Sequence, residues 1–141
     1  MEKYQVPKDL IEVEITETLV VEEMQQQKVK ENVAILKDKG VHLSIDDFGS
    51  GYSSLGVFEQ IPASVIKLDR SFLLNNENRT RQVQIMRNIV NLARDLEAQV
   101  VCEGVETEGD TELMMEIGAY VAQGYRYCKP VPEEVFEEMI V

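Results

Sequence analysis

Val41-His42-Leu43-Ser44-Ile45-Asp46-Asp47-Phe48-Gly49-Ser50-Gly51-Tyr52 is an apolar, β-prone run that ends in two adjacent carboxylates and then a glycine-spaced turn. Val41–Ile45 reads as a short strand. Two carboxylates at the end of a buried strand are costly unless something uses them. Four other runs repeat the pattern. Leu10–Thr16 ends in Glu14 and Glu17, and Val65–Leu68 ends in Lys67 and Asp69. Gln99–Cys102 is followed by Glu103 and Glu106, and Ala119–Ala122 by Gln123.

Helical patterns separate these strands. Val29, Val33 and Leu36 recur at spacings of four and three, and the segment stops at Lys39-Gly40, a basic last turn with a C-cap glycine. Ile85, Ile89, Leu92 and Leu96 form a longer apolar stripe. A shorter helix over Glu112–Ile117 closes at Gly118, and a last one spans Pro132–Met139. Alternating strands and helices imply parallel pairing and an α/β fold, either a doubly wound sheet or part of a (β/α)8 barrel. The strand ends decide between them. Ionisable groups supplied by the C-terminal ends of several successive strands are the arrangement of a barrel enzyme.

The 141 residues, 44% hydrophobic and 28% charged, fit one globular domain. No apolar run reaches the ~20 residues of a membrane helix, so membrane insertion is not expected. The N-terminus lacks the basic start and apolar stretch of a signal peptide, which gives a cytoplasmic expectation. A net charge of −12 repels nucleic acid, so no DNA-binding role is expected, and an anionic substrate requires bound cations. Cys102 and Cys128 read as buried, inert thiols. His42 lies at the strand end opposite the carboxylates and reads as structural. Arg79, Arg81, Arg87 and Arg94 read as a solvated helix face. Tyr125 and Tyr127 suit either stacking on a base or packing at a rim.

Converging carboxylates repel one another unless cations are present. Oxygen ligands without His or Cys suit Mg²⁺, Mn²⁺ or Ca²⁺. Two such ions about 3.5–4 Å apart activate water and stabilise the leaving oxygen of a phosphodiester. The residues therefore point to metal-assisted phosphoryl chemistry; the competing reading is a set of solvated charges.

Five segments occur in a recognisable order: Glu14–Glu17 (EITE), Asp46–Leu55 (DDFGSGYSSL), Lys67–Asp69 (KLD), Glu103–Glu106 (EGVE) and Gln123–Pro130 (QGYRYCKP). Together they resemble the C-terminal portion of the EAL domain, the cyclic di-GMP phosphodiesterase family. The resemblance implies a partial TIM-type (β/α)8 barrel of about five βα units that uses Mg²⁺ or Mn²⁺ in a two-metal site. It implies that Glu14, Asp46, Asp47 and Glu103 are metal ligands, with Asp47 bridging. It implies further that Lys67 contacts the catalytic water or phosphate, and that Glu103 serves metal binding or base catalysis. Glu17 anchors the loop after the DDFG strand, while Glu106 and Gln123 form a supporting shell. Gly49 and Gly51 permit the tight turns of a loop over the site.

The Glu-Ala-Leu segment that names the family is absent upstream of Glu14, as is the expected asparagine-bearing strand. Residues 1–141 are accordingly expected to form a single truncated domain that is weak or inactive alone. The open sheet is expected to be covered by self-association, most simply in a homodimer. The alternative is a non-catalytic module that binds cyclic di-GMP or a protein. An unrelated doubly wound regulatory domain would need all five matches to be coincidental.

Overall fold

In the computed structural model, which describes residues 2–21, 23–49, 56, 58, 61–74 and 78–140, five strands follow one another in space as they do in sequence. They are β1 (Glu12–Thr16), β2 (His42–Phe48), β3 (Val65–Leu68), β4 (Gln99–Glu103) and β5 (Val121–Gln123). The sheet order is β1-β2-β3-β4-β5, and every pair is parallel. A doubly wound sheet reverses its strand order at a switch point. This sheet has no reversal, and its sequential order is that of an arc of a (β/α)8 barrel.

The described helices are α1 (Glu17–Val21), α2 (Glu23–Asp38), α3 (Arg79–Asp95), α4 (Glu108–Ile117) and α5 (Glu133–Met139). Short 3-10 turns cover Glu2–Tyr4, Lys8–Leu10 and Arg70–Phe72. Side chains alternate across a strand, so register assigns the faces. Ile15, Leu43, Ile45, Ile66, Leu68, Val100 and Cys102 form one core with Val33 of α2, Met86 and Val90 of α3, and Leu113 and Ile117 of α4. Glu14, Ser44, Asp46, Lys67, Glu103 and Gln123 belong to the opposite face, together with Val65, Val101 and Val121. That face is largely polar, so the open side of the arc is not the bare apolar surface expected from an incomplete barrel.

Several local expectations need correction. Leu10 belongs to a 3-10 turn and is exposed, so β1 starts at Glu12. β2 continues through Phe48. β5 starts at Val121, because the Ala119 backbone N–H is spent on Met114 O at the end of α4. α4 itself starts at Glu108, since Thr107 and Asp110 form a reciprocal capping box. In α3 the buried stripe is Val83, Met86, Val90 and Ala93, whereas Ile85 is 46% and Leu96 49% exposed. Both stripes have helical spacing; contact with the sheet selects the one with the smaller side chains. Cys102 is buried as expected, but Cys128 is exposed.

Candidate functional site at the strand ends

Lys67 is the centre of the polar face. Its ammonium donates to Glu14 Oε1 at 2.7 Å and lies 2.8 Å from Glu103 Oε1 and 3.3 Å from Asp46 Oδ1. These partners come from β1, β4 and β2, so one side chain ties four strands together. Its side chain is 8% exposed, against 48% for Glu14. Burial opposes its charge, but hydrogen bonds to Glu103 and Glu14 and the nearby carboxylates outweigh that cost. The pKa is raised, and Lys67 is a permanent cation at neutral pH.

Asp46 and Asp47 are consecutive, and regular strand geometry would send them to opposite faces. A bulge prevents this. Ile45 pairs with Ile66 and Phe48 with Leu68, leaving two residues of β2 opposite Lys67 alone. Asp47 takes up the extra residue with φ 54°, a left-handed conformation that Asp tolerates better than most residues. Phe48 returns to the core at 1% exposure.

Oxygens of Asp46, Asp47 and Glu103 consequently lie within 4.8 Å of one another. Burial, and then the charges of Asp46 and Asp69, push the Asp47 carboxyl above its usual range. Asp46 Oδ1 is buried and accepts no hydrogen bond, although it is ion-paired with Lys67. A hard divalent cation fits this donor set: all ligands are carboxylate oxygens, and their repulsion falls when a cation binds.

The supporting residues divide. Glu17, 3% exposed at the start of α1, accepts the Gly49 N–H at 3.0 Å and so holds the chain leaving β2. Gly49 has φ 94°, and a Cβ there would enter the Phe72 ring. The continuation through Gly51 lies outside the described residues. Glu106 is not drawn into the carboxylate cluster; it pairs with Arg70 at 2.6 Å. Gln123 is exposed, and its Cα pairs with that of Glu103. Asp69 caps the Arg70–Phe72 turn by accepting the Ser71 N–H at 2.8 Å. His42 is exposed at the first position of β2, away from the cluster.

Sequence reading missed Arg70 and Gly104. The Arg70 side chain crosses directly above Gly104 Cα, where an added Cβ would lie 2.6–2.7 Å from its methylenes. The Glu103-Gly104 dipeptide was the available signal, because a glycine beside a strand-end carboxylate marks a close approach. Of the expected helix-face arginines, Arg87 pairs with Glu116 and Arg94 bonds to Asn91 and to Gly118 O. Tyr125 and Tyr127 are more than half exposed.

Residues 1–130 match the family model of the EAL domain. The chain is 36% identical over 134 residues to the cyclic di-GMP phosphodiesterase RocR of Pseudomonas aeruginosa, covering 95% of this chain and 34% of that protein. Among solved structures, the EAL enzyme Bd1971 in its cAMP- and cyclic-di-GMP-bound form superposes with a TM-score of 0.89 at 30% identity. The match covers 99% of this chain and 36% of that one. The EAL domain of Mycobacterium smegmatis DcpA superposes with a TM-score of 0.87 at 32% identity, covering 99% and 61%. The chain spans about a third or less of the length of these curated relatives.

Proposed function

This chain belongs to the EAL domain family, and we propose that it carries the C-terminal part of a site that hydrolyses cyclic di-GMP to pGpG. The observation that carries the reading is the meeting of Glu14, Asp46, Asp47, Lys67 and Glu103 at the ends of four successive parallel strands. Glu14, Asp46, Asp47 and Glu103 would hold Mg²⁺ or Mn²⁺. When bound, such ions neutralise phosphodiester charge and acidify a water.

The remaining roles belong to the chain's own residues. Lys67, fully protonated, donates a hydrogen bond to a phosphate oxygen or to the attacking water. Glu103 would accept a proton from that water. Glu17 fixes the start of the loop that follows the metal ligands, and Glu106 and Gln123 orient the rim. RocR is named as a cyclic di-GMP phosphodiesterase, and the ligand-bound Bd1971 shares this fold, which supports the substrate class.

Among the described residues only Asp46, Asp47 and Glu103 close to within 4.8 Å, so turnover by this chain alone is expected to be weak. We read residues 1–141 as part of one domain that works in the cytoplasm without binding DNA. A cavity of about 370 Å³ beside β1, lined mainly by apolar residues such as Val13, Leu19, Val29 and Leu36 but also by Glu14, Thr16 and Asn32, supports covering of that edge, most simply in a homodimer. No described helix is long and apolar enough to cross a membrane.

Chromatography of cyclic di-GMP incubated with the chain and Mn²⁺ tests the proposal. Formation of pGpG that disappears in Asp47→Ala supports it. Tight binding without product favours the non-catalytic receptor.

A further inference from the structure

Lys67 stands on β3 and its ammonium meets Glu14 on β1, so the side chain crosses β2. Two strand spacings separate β1 from β3, about 10 Å. The β2 residues on the crossed face are Ser44 and Asp46, and register sets Ser44 level with Glu14 on one side and with Val65 on the other. Ser44 is the small residue under this crossing, at 0% exposure.

Three polar groups meet there with hydrogen-bonding capacity unspent. Ser44 Oγ is buried and has no partner among the described residues. Asp46 Oδ1, two positions along the same face, is buried and accepts no hydrogen bond. The Lys67 ammonium lies 3.3 Å from that oxygen, as an ion pair without a hydrogen bond, and it carries three N–H groups. A buried hydroxyl left unpaired is costly, and folded proteins supply its partner from the chain or from an ordered water. A water that accepts from Ser44 and Lys67 and donates to Asp46 Oδ1 makes the three bonds usual for a buried one.

We propose that Ser44 is a positioning residue for Lys67, its hydroxyl holding one buried water that joins the ammonium to Asp46 Oδ1. This water is structural. The lysine crossing closes it off from solvent, and it lies on the sheet side of the ammonium, away from the exposed Asp47. The inference requires neither a bound metal nor turnover, so it stands or falls apart from the proposed hydrolysis.

Heteronuclear NMR of the isotope-labelled 141-residue chain in EDTA tests it. The Lys67 ammonium, assigned through its own side-chain carbons, is expected to give a protected signal with a cross-peak to a long-lived water. Ser44→Ala keeps the room and removes the hydroxyl. It should lose that cross-peak, exchange the Lys67 ammonium protons about tenfold faster and melt about 3 °C lower.

A Ser44→Ala chain that melts higher than the parent overturns the proposal, because removing a hydroxyl without a partner relieves its burial. So does Lys67 exchange that stays within about twofold of the parent in that variant. Should Ser44→Ala fail to fold, the parent decides alone: a Lys67 ammonium without the water cross-peak overturns the assignment.

Discussion

The Gly49 backbone N–H donates to Glu17 Oε2 at 3.0 Å, joining the start of α1 to the residue that leaves β2 two positions after Asp47. The carboxylate is 3% exposed, so water cannot substitute for it without rearrangement. This contact transmits the position of one βα junction to the next and steadies the strand end that carries Asp46 and Asp47.

Removing the acceptor should be costly. Glu17→Ala is expected to lose about 2 kcal/mol in urea denaturation, as a partly buried N–H is left without its charged partner. Glu17→Gln, which keeps an acceptor oxygen, should retain roughly half of that. Equal losses in the two variants would show that packing, not the hydrogen bond, is responsible.

Gly104 has φ 66°, and Arg70 lies across it. Gly104→Ala should cost about 1–2 kcal/mol from the left-handed backbone, with the clash against Arg70 added to it. Arg70→Ala alone loses a half-exposed ion pair with Glu106 and should cost less than about 1 kcal/mol. The double variant should be more stable than the sum of the single losses predicts. Strict additivity in thermal melts would mean that the two residues do not meet.

Asp110 closes the capping box of α4. Burial pushes its carboxyl upward, but hydrogen bonds from the backbone N–H groups of Thr107 and Glu106 outweigh this and hold it below the usual carboxylate range. A depressed folded pKa gives stability that is full above the unfolded value near 3.8 and is lost as pH falls through the folded value. Asp110→Ala should therefore cost about 1 kcal/mol at pH 7, and the difference should shrink below pH 4. A difference that persists unchanged at pH 2 would contradict the assignment.

The two thiols should separate cleanly. Burial pushes the Cys102 thiol up to about 11, whereas Cys128 is exposed. Only thiolates react fast with a disulfide reagent. At pH 8 the folded chain should release one equivalent of chromophore rapidly from 5,5′-dithiobis(2-nitrobenzoate), and two in denaturant. Rapid release of two equivalents from the native chain would place Cys102 at the surface.

Much of the site is legible in one dimension because local rules write it. A short apolar run ending in a carboxylate or amide marks a strand end, and five such runs in order mark an arc of barrel. Glu14, Asp46, Asp47, Lys67 and Glu103 follow from that pattern, and the glycine after Phe48 announces the turn that Glu17 holds. The buried stripe of α3 is not legible for a related reason. Ile85, Ile89, Leu92 and Leu96 have the right period, but so do Val83, Met86, Val90 and Ala93, and periodicity does not say which face meets the sheet.

The sequence by itself determined which ionisable residues stand at the strand ends, the α/β class and the family, since these depend on residue type, order and spacing along the chain. Tertiary structure decided which cation meets which anion. Lys67 reaches Glu14, Asp46 and Glu103 only because register sets β3 between β2 and β4, and because β1 borders β2. It also decided that two adjacent aspartates share one face, through a bulge that appears only when β2 is laid against β3. Coulomb interactions and strand pairing depend on distance in space, and the fold sets that distance between residues remote in the chain.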